Sequence, residues 1–204
     1  MGELVNRGAL ALLGGSFNPI HIGHLHIAEV LLTGVGFDRV LFVPAGSPAH
    51  KSKRQLALAQ HRLRMVRRAV HYQPRFAVSD IELRREGTSY TIDTVTALRA
   101  RGLIPDQPGL VVGDDLLADY RSWRDYSLLA TIVRFVVARR LADDNSRAAV
   151  LSAFEYEYTQ LPNALLDVSS TEVRRRVASG ESVRHLVPEP VRRYIHRHRL
   201  YEDV

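Results

Sequence analysis

Four short apolar runs constrain this chain most: ALALL (9–13), RVLFVP (39–44), GLVVG (109–113) and TIVRFVVAR (131–139). They are continuous rather than alternating, and glycine or proline closes the first three. A continuous run needs cover on both faces of a strand, the environment of a parallel sheet layered by helices. Residues 75–83 (RFAVSDIEL) alternate like a further strand. Helical spacing appears from Gly23 to Leu32, from about Ala57 to His71, and in TSYTIDTVTALRA, which has its entrance at Thr88–Thr91. Two more helices are expected at about 170–179 and 188–199, and 141–148 (LADDNSRA) is the nearest approach to a linker. Strands alternating with helices predict an α/β fold, a Rossmann-like doubly wound parallel sheet with a small C-terminal helical part. One domain over 1–204 is expected, with about 166–204 as a C-terminal helical subdomain.

Length and composition agree with a single sizeable core, since the chain has 204 residues and is 46% hydrophobic. No apolar run reaches the roughly 18 residues of a membrane span. The start, MGELVNRGALALLGG, lacks the basic residues and long apolar stretch of a signal peptide. Cysteine is absent, which excludes disulfides, thiolate zinc sites and a cysteine nucleophile. A cytoplasmic location is therefore expected, with no membrane partner. The net charge is +6 and only Lys51 and Lys53 are lysines, so arginine supplies nearly all the positive charge. Its fork suits phosphate and carboxylate groups, but charge alone does not separate nucleic acid from small phosphorylated substrates. No RNP, KH or zinc-ligand pattern points to nucleic acid. The face formed by Val191, Tyr194, Ile195 and His198 reads as a packed amphipathic helix rather than a nucleic-acid arm. Homo-oligomerisation is left open by the sequence.

Residues 14–25, GGSFNPIHIGHL, stand where a strand feeds a helix. At a strand's carboxyl end, glycine lets backbone N–H groups approach an anion, and the helix N-terminus adds its positive dipole end. His21 and His24 share a helical face and could reach one phosphate cluster. A lone histidine here would read as a local hydrogen-bonding residue; glycine pair, hydroxyl, proline and HxGH together read as a site. Neither GxGxxG nor the P-loop pattern occurs. The stretch resembles the GxFxPxHxGH motif of the nucleotidylyltransferase superfamily, whose members transfer AMP or CMP from a nucleoside triphosphate to a substrate phosphate. The resemblance implies that Gly14, Gly15, Ser16, Phe17, His21, Gly23 and His24 hold ATP, with His21 and His24 as the catalytic pair. Many members carry aspartate where this chain has Asn18.

A second element, VSSTEVRRRV (168–177), contains Ser169 and Glu172 at capping-box spacing. Alone it would read as a helix cap. It also resembles the superfamily's [IV]SSTxxR element, which implies ATP contacts from Ser169, Ser170, Thr171 and Arg174.

Three further stretches bear on the acceptor. SYTIDT (89–94) sets hydroxyls at a helix entrance, GDDLLADYRSW (113–123) sets an acidic pair and the only tryptophan beyond a strand, and PAGSPAHK (44–51) offers His50 and Lys51. Taken singly they read as a cap, a core tryptophan and a solvated loop. With the ending LVPEPVRRYIHRHRLY (186–201) they closely resemble bacterial nicotinate mononucleotide adenylyltransferases, nearly every motif falling in order from about residue 10 to 201. That likeness implies AMP transfer from ATP to nicotinate mononucleotide, with Mg²⁺ on the ATP phosphates and none held by the protein. It implies nucleotide contacts from Gly113 and Asp115. It further implies acceptor contacts from Asn18, His50, Lys51, Tyr90, Thr91 and Trp123, the last stacking on the pyridine ring. The chain departs from the family at Arg124, where an aromatic residue is common, and at Arg139-Arg140-Leu141, where an RPG turn usually follows the strand. Phosphopantetheine adenylyltransferases share the two phosphate elements but lack SYT and the tryptophan.

Overall fold

A computed structural model describes residues 8–47 and 56–202. Its strands are β1 (Leu10–Gly15), β2 (Arg39–Pro44), β3 (Phe76–Val78), β4 (Gly109–Gly113), β5 (Arg134–Ala138) and β6 (Tyr158–Gln160). The helices are α1 (Ile22–Gly34), α2 (Ala59–Val70), α3 (Thr91–Ala100), α4 (Tyr126–Ile132), α5 (Asp144–Ala153), α6 (Ser170–Ala178) and α7 (Glu189–Arg197), with a 3₁₀ helix over Asp114–Ser122. The strands form one sheet in the order β3-β2-β1-β4-β5-β6. The order turns back at β1, and β1–β4, β4–β5 and β5–β6 all pair in parallel. Leu10–Leu13, Val40–Val43, Leu110–Val112 and Phe135–Ala138 are buried at every position, so both sheet faces are covered, as their continuous apolar character requires.

By internal contacts the chain forms two compact units. One comprises the described parts of Met1–Leu13, Ile27–Leu41 and Tyr90–Leu166. Its core gathers Leu12, Leu31, Leu98, Leu117, Leu129 and Val137, with Phe135, Phe154 and Tyr120 meeting edge to face. The other comprises Gly14–His26 and the described parts of Phe42–Ser89 and Asp167–Val204. Its core includes Phe17, Phe42, Met65, Val66, Val173 and Val191.

Three expectations change. The strand expected over 75–83 stops at Val78. Ser79 N–H makes the last bond to Phe42 O, after which Asp80 O takes the N–H groups of Leu83 and Arg84 and winds the chain into a turn. The apolar run at 131–139 divides, because 126–132 is helical and only Arg134–Ala138 is strand. The expected linker at 141–148 is mostly helix. Asp143 caps α5, accepting a hydrogen bond from Ser146 N–H at 2.7 Å, so the polar run is a helix start rather than a break. The short strand β6 and the 3₁₀ helix carry no clear periodicity and were not expected.

Candidate active site

β1 runs on through both glycines before the chain turns into α1. Among the described residues nothing lies within 4 Å of a Cβ placed on Gly14, so the strand end is open there. Phe17 adopts a left-handed backbone (φ 44°), and its ring is buried against Phe42. The Asn18–Pro19 peptide bond is cis. His21 is buried and begins α1, its carbonyl accepting from the N–H groups of His24 and Leu25. The two imidazoles pack with centroids 3.7 Å apart and planes tilted by 36°, and His24 also meets Phe17 edge to face. His21 N–H donates to Nδ1 of His24 at 3.2 Å. A neutral His24 ring therefore carries its proton on Nε2, leaving that nitrogen a donor. Gly23 sits in a close approach: a Cβ there would stand 3.0 Å from Val168 Cγ1 and 3.1 Å from His21 Nδ1, so these side chains would have to give way by a few tenths of an ångström.

The turn is held from behind by side chains distant in sequence. Arg62, 1% exposed, divides its fork among three backbone carbonyls: Ser16 O (2.7 Å), Ala57 O (3.1 Å) and Gly46 O (3.2 Å). Burial lowers its pKa, opposed by Tyr201 and Glu82. Asn18 Oδ1 accepts from Ala57 N–H and from the Tyr201 hydroxyl, both at 3.0 Å. The Asn18 amide oxygen is thus committed to the protein. Sequence reasoning missed Arg62 although a signal existed: it shares the helical stripe of Met65, Val66 and Val70, an arginine where an apolar residue belongs.

The SSTEVR element reaches the same turn. Ser169 caps α6, accepting from Glu172 N–H at 3.1 Å. Only half of the capping box forms, because the Glu172 carboxylate pairs with Arg175 and Arg176. Ser170 Oγ donates to Pro19 O at 2.8 Å, and Arg174 Nη1 donates to Asn18 O at 2.8 Å. Thr171 Oγ1 accepts from Arg174 Nη2 at 3.3 Å. Burial lowers the Arg174 pKa, yet a guanidinium stays charged. Ile22 N–H bonds Leu186 O, tying the start of α1 to the approach to α7.

The residues expected at the acceptor lie on the other unit, except Asn18 and the pair His50 and Lys51; that pair falls outside the described residues. Ser89 does not cap α3. Its hydroxyl accepts from Gly46 and Ser47 N–H, and Tyr90 stands at the N-cap without a side-chain bond. The first turn of α3, starting at Thr91, therefore has no side-chain cap. Arg124 lies over the Tyr90 ring at 4.9 Å and pairs with Asp93 at 3.5 Å. Trp123 ends the 3₁₀ helix and is half-buried. The acidic pair divides its work. Asp114 is fully buried and accepts from the N–H groups of Arg140 (2.8 Å) and Leu141 (2.9 Å) and from Arg147 Nε (3.1 Å). Asp115 is partly exposed and pairs with Arg140 at 3.1 Å. A side chain on Gly113 would collide with Asp115 and Arg140. Asp114 and Asn163, which accepts from Arg139 N–H at 2.9 Å, anchor the segment where the RPG turn is missing.

Comparison with known proteins bears on the family and the fold. Residues 12–176 match the family model described as cytidylyltransferase-like. A protein of Symbiobacterium thermophilum named probable nicotinate-nucleotide adenylyltransferase is 42% identical over 200 residues, covering 94% of each chain. One of the same name from Salinibacter ruber is 39% identical, covering 94% of this chain and 97% of its own. In structure the chain is similar to Plasmodium falciparum nicotinic acid mononucleotide adenylyltransferase complexed with NaAD. The TM-score is 0.74 at 20% identity, with 95% of this chain and 97% of that one covered. At that identity the likeness speaks for the Rossmann-like fold. The chain belongs to the cytidylyltransferase-like family and, within it, to the nicotinate-nucleotide adenylyltransferases.

Proposed function

We propose that this protein transfers AMP from ATP to nicotinate mononucleotide, giving nicotinate adenine dinucleotide and pyrophosphate, a step in NAD biosynthesis. The observation that carries the reading is the meeting of two phosphate elements at Asn18 and Pro19, where Ser170 and Arg174, 151 and 156 residues from their partners, grip the turn that bears HxGH. ATP is held by the backbone of Gly14, Gly15, Ser16 and Phe17, by His21, Gly23 and His24, and by Ser169, Ser170, Thr171 and Arg174. Gly113 and Asp115 complete its contacts. The Ser169 and Ser170 hydroxyls already have protein partners, so what α6 offers is its first-turn N–H groups and the Arg174 charge.

A phosphate oxygen of the acceptor attacks the α-phosphorus in line, forming the new P–O bond as the bond to pyrophosphate breaks. The acceptor phosphate, with a second pKa of about 6, is already anionic near neutral pH, so no strong base is required. Catalysis is then positioning and charge neutralisation. His24, with Nε2 as donor, and His21 packed against it supply hydrogen bonds to charge developing on the phosphates. We infer that Mg²⁺ enters with the nucleotide as Mg·ATP and shares the neutralisation of charge on the phosphates. The uncapped start of α3 at Tyr90 and Thr91 suits the nicotinate carboxylate, and Trp123 suits stacking on the pyridine ring. His50 and Lys51 are proposed to line the site near the phosphates, and Asn18 to shape it through its bonds. The site takes small molecules, and we infer a cytoplasmic enzyme; no helix among the described residues is long and apolar enough to cross a membrane.

Pyrophosphate release is measured with Mg·ATP and nicotinate mononucleotide, nicotinamide mononucleotide or phosphopantetheine. Strong release with the first acceptor is expected. Preference for the second would keep the transfer chemistry and overturn the carboxylate site, and release with phosphopantetheine alone would overturn the acceptor assignment.

A further inference from the structure

We propose that Tyr201 is a positioning residue for ATP binding, acting through Asn18 on the turn between β1 and α1. The inference rests on reading that turn as the triphosphate site.

Tyr201 lies beyond α7, outside both phosphate elements. α7 docks on α2, with the Tyr194 hydroxyl 2.8 Å from His61 Nδ1. After α7 ends, the chain doubles back through two residues of left-handed backbone, Arg199 (φ 48°) and Tyr201 (φ 71°). Neither is glycine or asparagine, so the conformation is unfavourable for both and persists only where the surroundings impose it. The phenol of Tyr201 lies inside the fold, at 6% exposure. There the hydroxyl donates to Asn18 Oδ1 at 3.0 Å. The same atom takes Ala57 N–H, and two donors on one atom identify it as the amide oxygen. Burial raises the Tyr201 pKa, and the nearby Arg174 and Arg62 only partly offset this, so the phenol remains a donor at neutral pH.

The turn itself calls for such a hold. Phe17, next to Asn18, is also left-handed (φ 44°). Arg174 takes the Asn18 carbonyl and Ser170 the Pro19 carbonyl. Those two bonds fix the main chain; Tyr201 and Ala57 fix the Asn18 side chain. Removing the hydroxyl loosens the residue that precedes Pro19 and His21, and with it the placement of the N–H groups that face the triphosphate.

The test is Tyr201→Phe, which deletes one O–H and keeps the ring. ATP binding is measured by calorimetry without acceptor, and both KM values by pyrophosphate release. One neutral hydrogen bond corresponds to a rise of about five- to tenfold in the ATP Kd. The acceptor KM stays within about twofold, since its proposed contacts lie mostly elsewhere. Asn18→Ala should reproduce the loss, and the double variant should add little to it, because the two groups act through one bond. An unchanged ATP Kd in Tyr201→Phe overturns the proposal, as does an equal rise in both KM values accompanied by a lower Tm. A native protein that binds ATP but ignores nicotinate mononucleotide would refute the acceptor assignment and leave this test intact.

Discussion

The turn from Ser16 to His24 and the stretch from Tyr90 to Arg124 are both proposed to bind substrate, yet different forces shape them. The turn is set by buried hydrogen bonds. Arg62 holds three carbonyls from inside the fold, and Asn18 is bonded through its side chain to Ala57 and Tyr201 and through its carbonyl to Arg174. The stretch from Tyr90 to Arg124 carries surface ion pairs, Arg124 with Asp93, Asp115 with Arg140 and Arg121 with Glu155, beside the one buried carboxylate of Asp114. Exposed pairs are screened by salt and contribute roughly 0–1 kcal/mol each, whereas a buried polar group left unpaired costs about 1–3 kcal/mol. The comparison teaches that the proposed triphosphate turn is held by buried, satisfied hydrogen bonds, whereas the proposed acceptor residue Tyr90 meets Arg124 in an exposed cluster with Asp93. A nucleotide whose charge must be neutralised in the transition state needs fixed donors; a ring to be stacked does not.

The sharpest test is at the histidines. His21→Ala or His24→Ala should lower kcat by roughly 10²–10³, the scale of losing one fixed donor to developing charge. Steady-state pyrophosphate release with saturating Mg·ATP reads this directly, and unchanged kcat in both variants would remove the pair from the mechanism. Next is Arg62→Met, expected to cost roughly 2–3 kcal/mol in urea unfolding because buried carbonyls lose their donor. Arg62→Lys should recover little, since an ammonium cannot span three carbonyls as the planar fork does. A wild-type urea midpoint for Arg62→Met would break the contrast between the regions. On the acceptor side, Trp123→Ala should raise the acceptor KM by roughly two- to tenfold and leave the ATP KM alone.

The smallest effect is acid-dependent. Glu172 and Glu189 are each held at a pKa of about 2 by hydrogen bonds from Arg175 and Arg176, and from Arg192 and Arg193, respectively. Their pKa values are depressed on folding. Their contribution is therefore complete above the ordinary glutamate value of about 4.3 and is lost as pH falls toward 2. Circular dichroism across that window should show a shallow loss of helix that Glu172→Gln and Glu189→Gln remove. An unaltered acid curve in the double variant would mean that these exposed pairs contribute nothing.

Much of this is legible in the sequence. The buried strands at 39–44 and 109–113 appear as their apolar runs indicate, and α6 starts at the serine pair. What escaped the sequence were residues whose role depends on distant backbone. Asp143 looked like part of a linker because a cap and a loop use the same side chains. Ser89 was expected at the start of α3 and instead bonds Gly46 and Ser47, groups more than 40 residues away. Asp114 and Asp115 are neighbours of one type, and only burial separates the structural from the exposed one.

Local pattern and motif chemistry thus determined the layered α/β fold, the family and the expected phosphate chemistry. Hydrophobic periodicity, glycine placement and motif order are properties of the chain itself. Tertiary structure alone decided that Arg62 would brace the β1 turn, that Ser170 and Arg174 would close on Asn18 and Pro19, and that Tyr201 would reach back to the same asparagine. Those roles follow from partners in the turn 46 to 183 residues away, and no local pattern encodes which buried group a side chain will meet.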